Sequence, residues 1–228
     1  MDKKKWIKRI TGKNVELDSK VSQYYLMQRG VPYVLGLLRG KVKKISLKNS
    51  GAKIFIGKRV RMLSPRNIVV GNNVRIDSYT TIDALSKNGI VLKNNVKLSE
   101  YSKIIGSGSI SDIGVGLEIG SNSSFSEYTF FGAAGGITIG EDVIAGQNVR
   151  FHAENHNYIS HEQLIREQGV NRQGITVGNN CWIGAGDVFL DGYSIGDGCI
   201  VAANAVVTKK FPDNVIIGGI PAKIIGER

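Results

Sequence analysis

An apolar residue returns at every sixth position from Val177 to Val207: Val177, Ile183, Phe189, Ile195, Val201 and Val207. The same beat runs through Ile119, Phe125 and Phe131, and through Ile139, Ala145 and Phe151. A period of six is neither the 3.6 of a helix nor the simple 2 of a strand. It is three strand alternations followed by a corner. Short strands joined by tight turns at a fixed period stack as coils, each covering its neighbour's apolar face. Glycine often follows the beat, at Gly120, Gly140, Gly178, Gly184 and Gly196. There the backbone bends sharply and a side chain would crowd it. The expected fold is an all-β parallel solenoid.

The beat breaks once, and the break holds every histidine of the chain. Phe151 to Thr176 reads FHAENHNYISHEQLIREQGVNRQGIT, with His152, His156 and His161. The repeat then resumes as VGNNCWIGAGDVFLDGYSIGDGCIVAANAVVTKKFPDN and closes with IIGGIPAKII. A histidine loop ahead of GNN-x-WIG and a closing GxPAK segment resemble the maltose/galactoside O-acetyltransferase branch of the hexapeptide-repeat acyltransferases. The likeness covers residues 139–225 well and 50–138 only as degenerate repeats. It implies a left-handed β-helix, acetyl-CoA as co-substrate with no metal, and a homotrimer. Nothing in the spacing itself fixes the hand.

Organisation follows the beat. Residues 1–47 lie outside it, residues 48–225 carry it, and a loop at about 153–174 protrudes from it. Leu85–Gly89 and Gly106–Gly116 read as smaller irregular turns. Cys181 and Cys199 are 18 residues apart, one coil in this fold, each at a small position of its hexapeptide. They read as apolar filler in adjacent coils rather than a disulfide or metal pair. No apolar run reaches the length of a membrane span, and the N-terminus lacks a signal-peptide core. A cytoplasmic protein is expected, with a membrane-peripheral location as the alternative. Asp187 stands where a small residue is expected; the reading is that its corner opens to solvent.

Charge is concentrated at one end. Residues 1–48 hold thirteen Lys and Arg against three acids, so 13 − 3 = +10 of the net +11. Apolar residues at Val21, Tyr24, Tyr25 and Met27, and again at Val31, Val34, Leu35 and Leu38, predict two short amphipathic helices broken at Gly30–Pro32. Such a segment either caps the first coil or lies on an anionic membrane surface. No nucleic-acid module is recognisable.

Acetyl transfer from a thioester to a hydroxyl takes a general base, an oxyanion donor and a slot for the pantetheine arm. The resemblance assigns the base to His156. The family commonly has Gly-His-Pro there and this chain has Asn-His-Asn, a difference bearing on the acceptor. His152 follows the inward Phe151 and should point outward; His161 sits in a polar loop. Asn155 and Glu154 are candidates to orient the imidazole. Trp182 should face outward and, by resemblance, lines the acetyl-CoA slot. Small residues at Gly184, Ala185, Ala202 and Ala203 would admit the pantetheine close to the backbone. Thr208, Lys209, Pro221, Lys223 and Arg228 are candidates near the adenine and 3′-phosphate. Asn157, Tyr158 and Arg166, with Arg172, are candidates for the acceptor. The expected acceptor is a sugar hydroxyl, in cell-surface polysaccharide or lipid-linked glycan synthesis. Alternatives are an amino-sugar N-acetyltransferase, a zinc carbonic anhydrase-like lyase and a non-catalytic solenoid.

Overall fold

The computed structural model describes residues 16–228. After helix α1 (Gln23–Lys43) the chain winds into a three-faced prism. The first face stacks seven short parallel strands, from Asn49–Ser50 up to Ser194–Ile195. The second runs from Phe55–Ile56 up through Ile200–Val201 and Val215–Gly218, and ends in an antiparallel strand, Lys223–Glu227. The third runs from Arg61–Leu63 to Val206–Val207. Each face takes one strand per coil.

The six-residue beat becomes the inside of the prism. Val177, Ile183, Phe189, Ile195, Val201 and Val207 are all buried. Val177 pairs with Ile195, Ile183 with Val201 and Phe189 with Val207, so 18 residues make one coil in this stretch. Phe131, Phe151 and Phe189 stack along the axis at 5.1 and 4.8 Å. Cys181 and Cys199 are buried and unbridged. Burial pushes the Cys181 thiol up to about 11, which suits an inert filler.

The corners explain the polar residues. At the first corner, between the first and second faces, Asn73, Asn95, Asn122, Asp142, Asn180 and Asn214 all adopt left-handed φ of 53 to 64°. Asn and Asp tolerate that conformation better than other side chains. Asn73, Asn95, Asn122 and Asp142 also bond one another in a ladder at 2.8 to 3.0 Å. At the second corner three tyrosines take the left-handed position instead. Tyr79, Tyr101 and Tyr128 stack at 4.9 and 5.0 Å. The third corner carries the insertions: Leu85–Gly89, Gly106–Gly116 and the long excursion after Ala153 all leave the prism there.

The N-terminal segment departs from its sequence reading. One continuous helix spans Gln23–Lys43 with Pro32 inside it. Pro32 is exposed, so the carbonyl deprived of its partner stays in water and the helix continues. The side that meets the first coil is marked by Gly30, Gly36 and Gly40, the helix's buried residues. A Cβ at Gly36 would strike the Phe55 ring, and one at Gly40 would strike the Ile54 carbonyl. Tyr33 stacks on Phe55 at 5.6 Å, and the Arg39 Nε donates to the Ile56 carbonyl at 2.9 Å. The large apolar residues Met27, Val31, Val34, Leu35 and Leu38 face outward.

Candidate functional site

The histidine loop is a built arm. Asn155–His156 pairs antiparallel with Val170–Asn171, matching Asn155 to Asn171 and His156 to Val170. Gln168 knots the tip: its side chain accepts from the Ser160 amide and donates to the carbonyls of Ser160 and Gln163, at 2.8 to 3.0 Å. Asn157 closes the stem by donating to the Gln168 carbonyl at 3.0 Å. At the root, the Arg172 Nε donates to Glu154 at 2.7 Å and its Nη1 to Asp112 at 2.8 Å. Asp112 belongs to the Gly106–Gly116 insertion, so Arg172 clamps two insertions of the third corner together. The buried Asp191 carboxylate accepts from the amides of Gln173 and Gly174 and fixes the chain's return to the first face.

His156 is exposed, and among the described residues nothing hydrogen-bonds its imidazole. Asn155 meets the arm only through its backbone pairing. Glu154 is held by Arg172 and makes no bond to His156. The same clamp occupies Arg172, whose guanidinium is therefore not free for an acceptor. Tyr158 is exposed at the arm's outer side, and Arg166 lies in a short 3₁₀ turn, Ile165–Glu167. His152 is half-buried on the third face, its ring 5.3 Å from Phe130. Burial, and then the Arg150 charge, lower its pKa from the ordinary histidine value. His161 is exposed on the arm.

The candidate co-substrate residues spread over several edges of one chain. Trp182 is 59% exposed on the second face, in register with Ile144 below and Ile200 above. Gly184, Ala185, Ala202 and Ala203 line the second corner. There a Cβ at Gly146 would come within 2.7 Å of the Ala185 amide, so the backbones of adjacent coils lie close together with only small side chains on them. The closing turn with Pro221 packs beside it, through the Val206 amide to Gly219 and the Ala222 amide to Val206. Lys223 is exposed in the last strand. Thr208 and Lys209 come after the third face, with the Lys209 Nζ 5.2 Å from the Phe211 ring centroid. Arg228 is pinned at the first corner, its Nη1 donating to the carbonyls of Asn180 and Gly198. Within one chain, then, the small-residue corner and the His156 arm stand on different edges.

Asp187 corrects its sequence reading. Its corner is closed: the residue is fully buried. Oδ1 accepts from the Ala205 amide at 2.8 Å while Oδ2 has no partner among the described residues. Burial pushes its pKa up to about 7, partly offset by the amides of Ala205 and Gly184. A cleft of about 570 Å³ lies elsewhere, between α1 and the second face of the first coils, beside Arg29, Phe55, Arg75 and Lys97. Among the described residues no three His, Cys, Asp or Glu side chains gather as a metal site.

Residues 174–209 match the family described as "Hexapeptide repeat of succinyl-transferase". A structure of AntD, an N-acyltransferase from Bacillus cereus in complex with dTDP and 3-hydroxybutyryl-CoA, superposes with a TM-score of 0.51. It covers 83% of this chain and 88% of that one at 20% identity. The chain has the left-handed β-helix fold, with a hexapeptide repeat matched over residues 174–209. Among curated proteins it is 36% identical over 91 residues to galactoside O-acetyltransferase of Escherichia coli, which is 40% of this chain and 44% of that one. It is 38% identical over 95 residues to the putative colanic acid biosynthesis acetyltransferase WcaF of the same organism, 41% and 49% of the two chains. A third relative, the putative lipopolysaccharide biosynthesis O-acetyl transferase WbbJ, is 29% identical over 111 residues, 46% and 57%. The chain spans about half the length of the curated relatives it matches.

Sequence reasoning missed the clamp of Arg172, Glu154 and Asp112 and the capping role of Asp191. The clamp joins residues 18 and 60 positions apart, so no local motif announces it. Asp191 does carry a signal: it stands at the first position past a third-face strand.

Proposed function

We propose that the protein is an acetyl-CoA-dependent O-acetyltransferase acting on a sugar hydroxyl in cell-surface polysaccharide or lipid-linked glycan synthesis. The observation that carries this reading is the histidine arm set into hexapeptide coils. The His156 imidazole stands free on a braced hairpin, while a corner of small residues, Gly184, Ala185, Ala202 and Ala203, runs along another edge. The names of the curated relatives, two of them in surface-glycan synthesis, support the acceptor class. That small-residue corner takes the pantetheine, with acetyl-CoA as the co-substrate. His156 removes the proton of the acceptor hydroxyl, the oxygen attacks the thioester carbonyl, and a tetrahedral oxyanion forms. Its collapse expels the CoA thiolate, which takes the proton back from the imidazolium.

Because the arm and the small-residue corner stand on different edges, a complete site takes the arm of one copy and the corner of the next. A homotrimer closes that arrangement with three equivalent sites. The basic segment 1–48 keeps the enzyme at the cytoplasmic surface of an anionic membrane, where such glycans are built.

The test is CoA thiol release with a panel of sugar acceptors. His156→Ala should lower turnover by about 10²–10⁴, the usual worth of a positioned base, with little change in acetyl-CoA affinity. His152→Ala and His161→Ala should stay within about tenfold of the parent. A His156→Ala enzyme that keeps most of its activity refutes the assignment.

A further inference from the structure

Helix α1 presents large apolar side chains to water. Met27, Val31, Val34, Leu35, Leu38 and Val42 are all exposed, up to 70% at Val42. At about 100° per residue they fall on one stripe roughly 100° wide. The helix cannot roll this stripe inward. Gly36 and Gly40 press the opposite side onto Phe55 and Ile54, where a Cβ has no room, and the Tyr33 stack and the Arg39 bond hold the angle. The same sequence that docks the helix by its glycines turns its bulky residues away from the protein.

The charge around the stripe selects the occupant. From Ser19 to Ile76 the chain carries thirteen Lys and Arg and no Asp or Glu. Lys41 and Lys43 flank the last turn of the helix. A second copy presenting this face would bring like charge against like charge. An anionic bilayer supplies an apolar layer beneath a negative surface, which matches both features. The helix is not long and apolar enough to cross a membrane.

We propose that the outward stripe of α1 inserts into the interface of an anionic lipid bilayer, so that the helix lies in the membrane plane with the solenoid docked on its glycine side. This rests on the reading that residues 1–48 contact such a membrane, and it names the inserting element. It differs from a purely electrostatic tether, which would use the charges and leave the stripe in water.

Vesicle co-sedimentation separates the two. The probes are vesicles of phosphatidylcholine alone and of phosphatidylcholine with phosphatidylglycerol, at low and moderate salt. The proteins are the full chain and the double variant Val31→Asn, Leu38→Asn, whose polar side chains leave the charge of the segment unchanged and whose sites are both more than half exposed. The parent should bind the mixed vesicles and retain part of that binding at moderate salt. The double variant should bind at least about a hundredfold more weakly, because two apolar side chains no longer enter the bilayer. Its turnover of a soluble acceptor should be unchanged. Equal binding by parent and variant overturns insertion while leaving an electrostatic tether standing. No binding by the parent overturns both. If the variant instead breaks up an oligomer that the parent forms, the stripe is an interface between copies and the proposal fails. Vesicle binding is read independently of turnover, so loss of the acetyl-transfer reading would not alter these outcomes.

Discussion

Replacing Asp187 with Asn should make the protein markedly more stable at alkaline pH and little different in acid. Asp187 is sealed inside the second corner, with one oxygen on the Ala205 amide and the other without a partner among the described residues. Burial disfavours the carboxylate and raises its pKa from 3.8 to about 7. In the unfolded chain the group ionises near its ordinary value, so the folded state binds the extra proton between those limits. The stability this group contributes is therefore full below about pH 4 and is lost as pH rises to about 7, at about 1.4 kcal/mol per unit. The whole interval is worth about 4 kcal/mol, of which roughly 2–3 kcal/mol falls between pH 5 and pH 8. Asparagine keeps the oxygen that accepts from Ala205 and cannot ionise. Melting curves of parent and Asp187→Asn at pH 5 and pH 8 read the difference directly. The advantage of the variant should grow by about 5–10 °C between the two pH values, given about 2–4 °C per kcal/mol for a chain of this size. An advantage of equal size at both would mean that Asp187 is not held neutral in the fold.

Other perturbations test other parts of the architecture. Phe151→Ala, which opens a hole in the axial stack between Phe131 and Phe189, should cost about 3–5 kcal/mol by denaturant unfolding. Gly40→Val forces side-chain atoms into the Ile54 carbonyl and should lift α1, seen as faster proteolysis before residue 47 with the melting of the coils nearly unchanged. Arg172→Ala strands Glu154 and Asp112 at the root of the arm; amide exchange should quicken across residues 154–172 and stay slow in the flanking coils.

The coils were legible because their period is imposed by backbone geometry. An inward side chain at every sixth place and a corner between leave a pattern that any observer of apolar residues can count, and Val177 to Val207 follows it without a slip. The histidine arm was legible as an interruption of that count. Its bracing was not, since Arg172 reaches Asp112 sixty residues away and only the folded third corner brings them together. Asp187 was misread for a related reason. Sequence shows that a carboxylate stands at a small-residue position, but not that the Ala205 amide one coil above is there to receive it.

Helix α1 shows the limit most clearly. Apolar residues three and four apart normally mark the buried side of a helix, because burial is what favours them. Here the docking side is chosen by clearance instead. The first coil offers the Phe55 ring and the Ile54 carbonyl, and only glycine lets a helix axis approach them closely. Gly36 and Gly40, four residues apart, are positions of low helix propensity in the sequence, and nothing local marks them as a docking side. Two sides of one helix then compete for the same partner, and the side with less to bury takes it. The bulky side is left outward beside a run of uncompensated positive charge, which is an arrangement that a water-facing cap has no physical reason to keep.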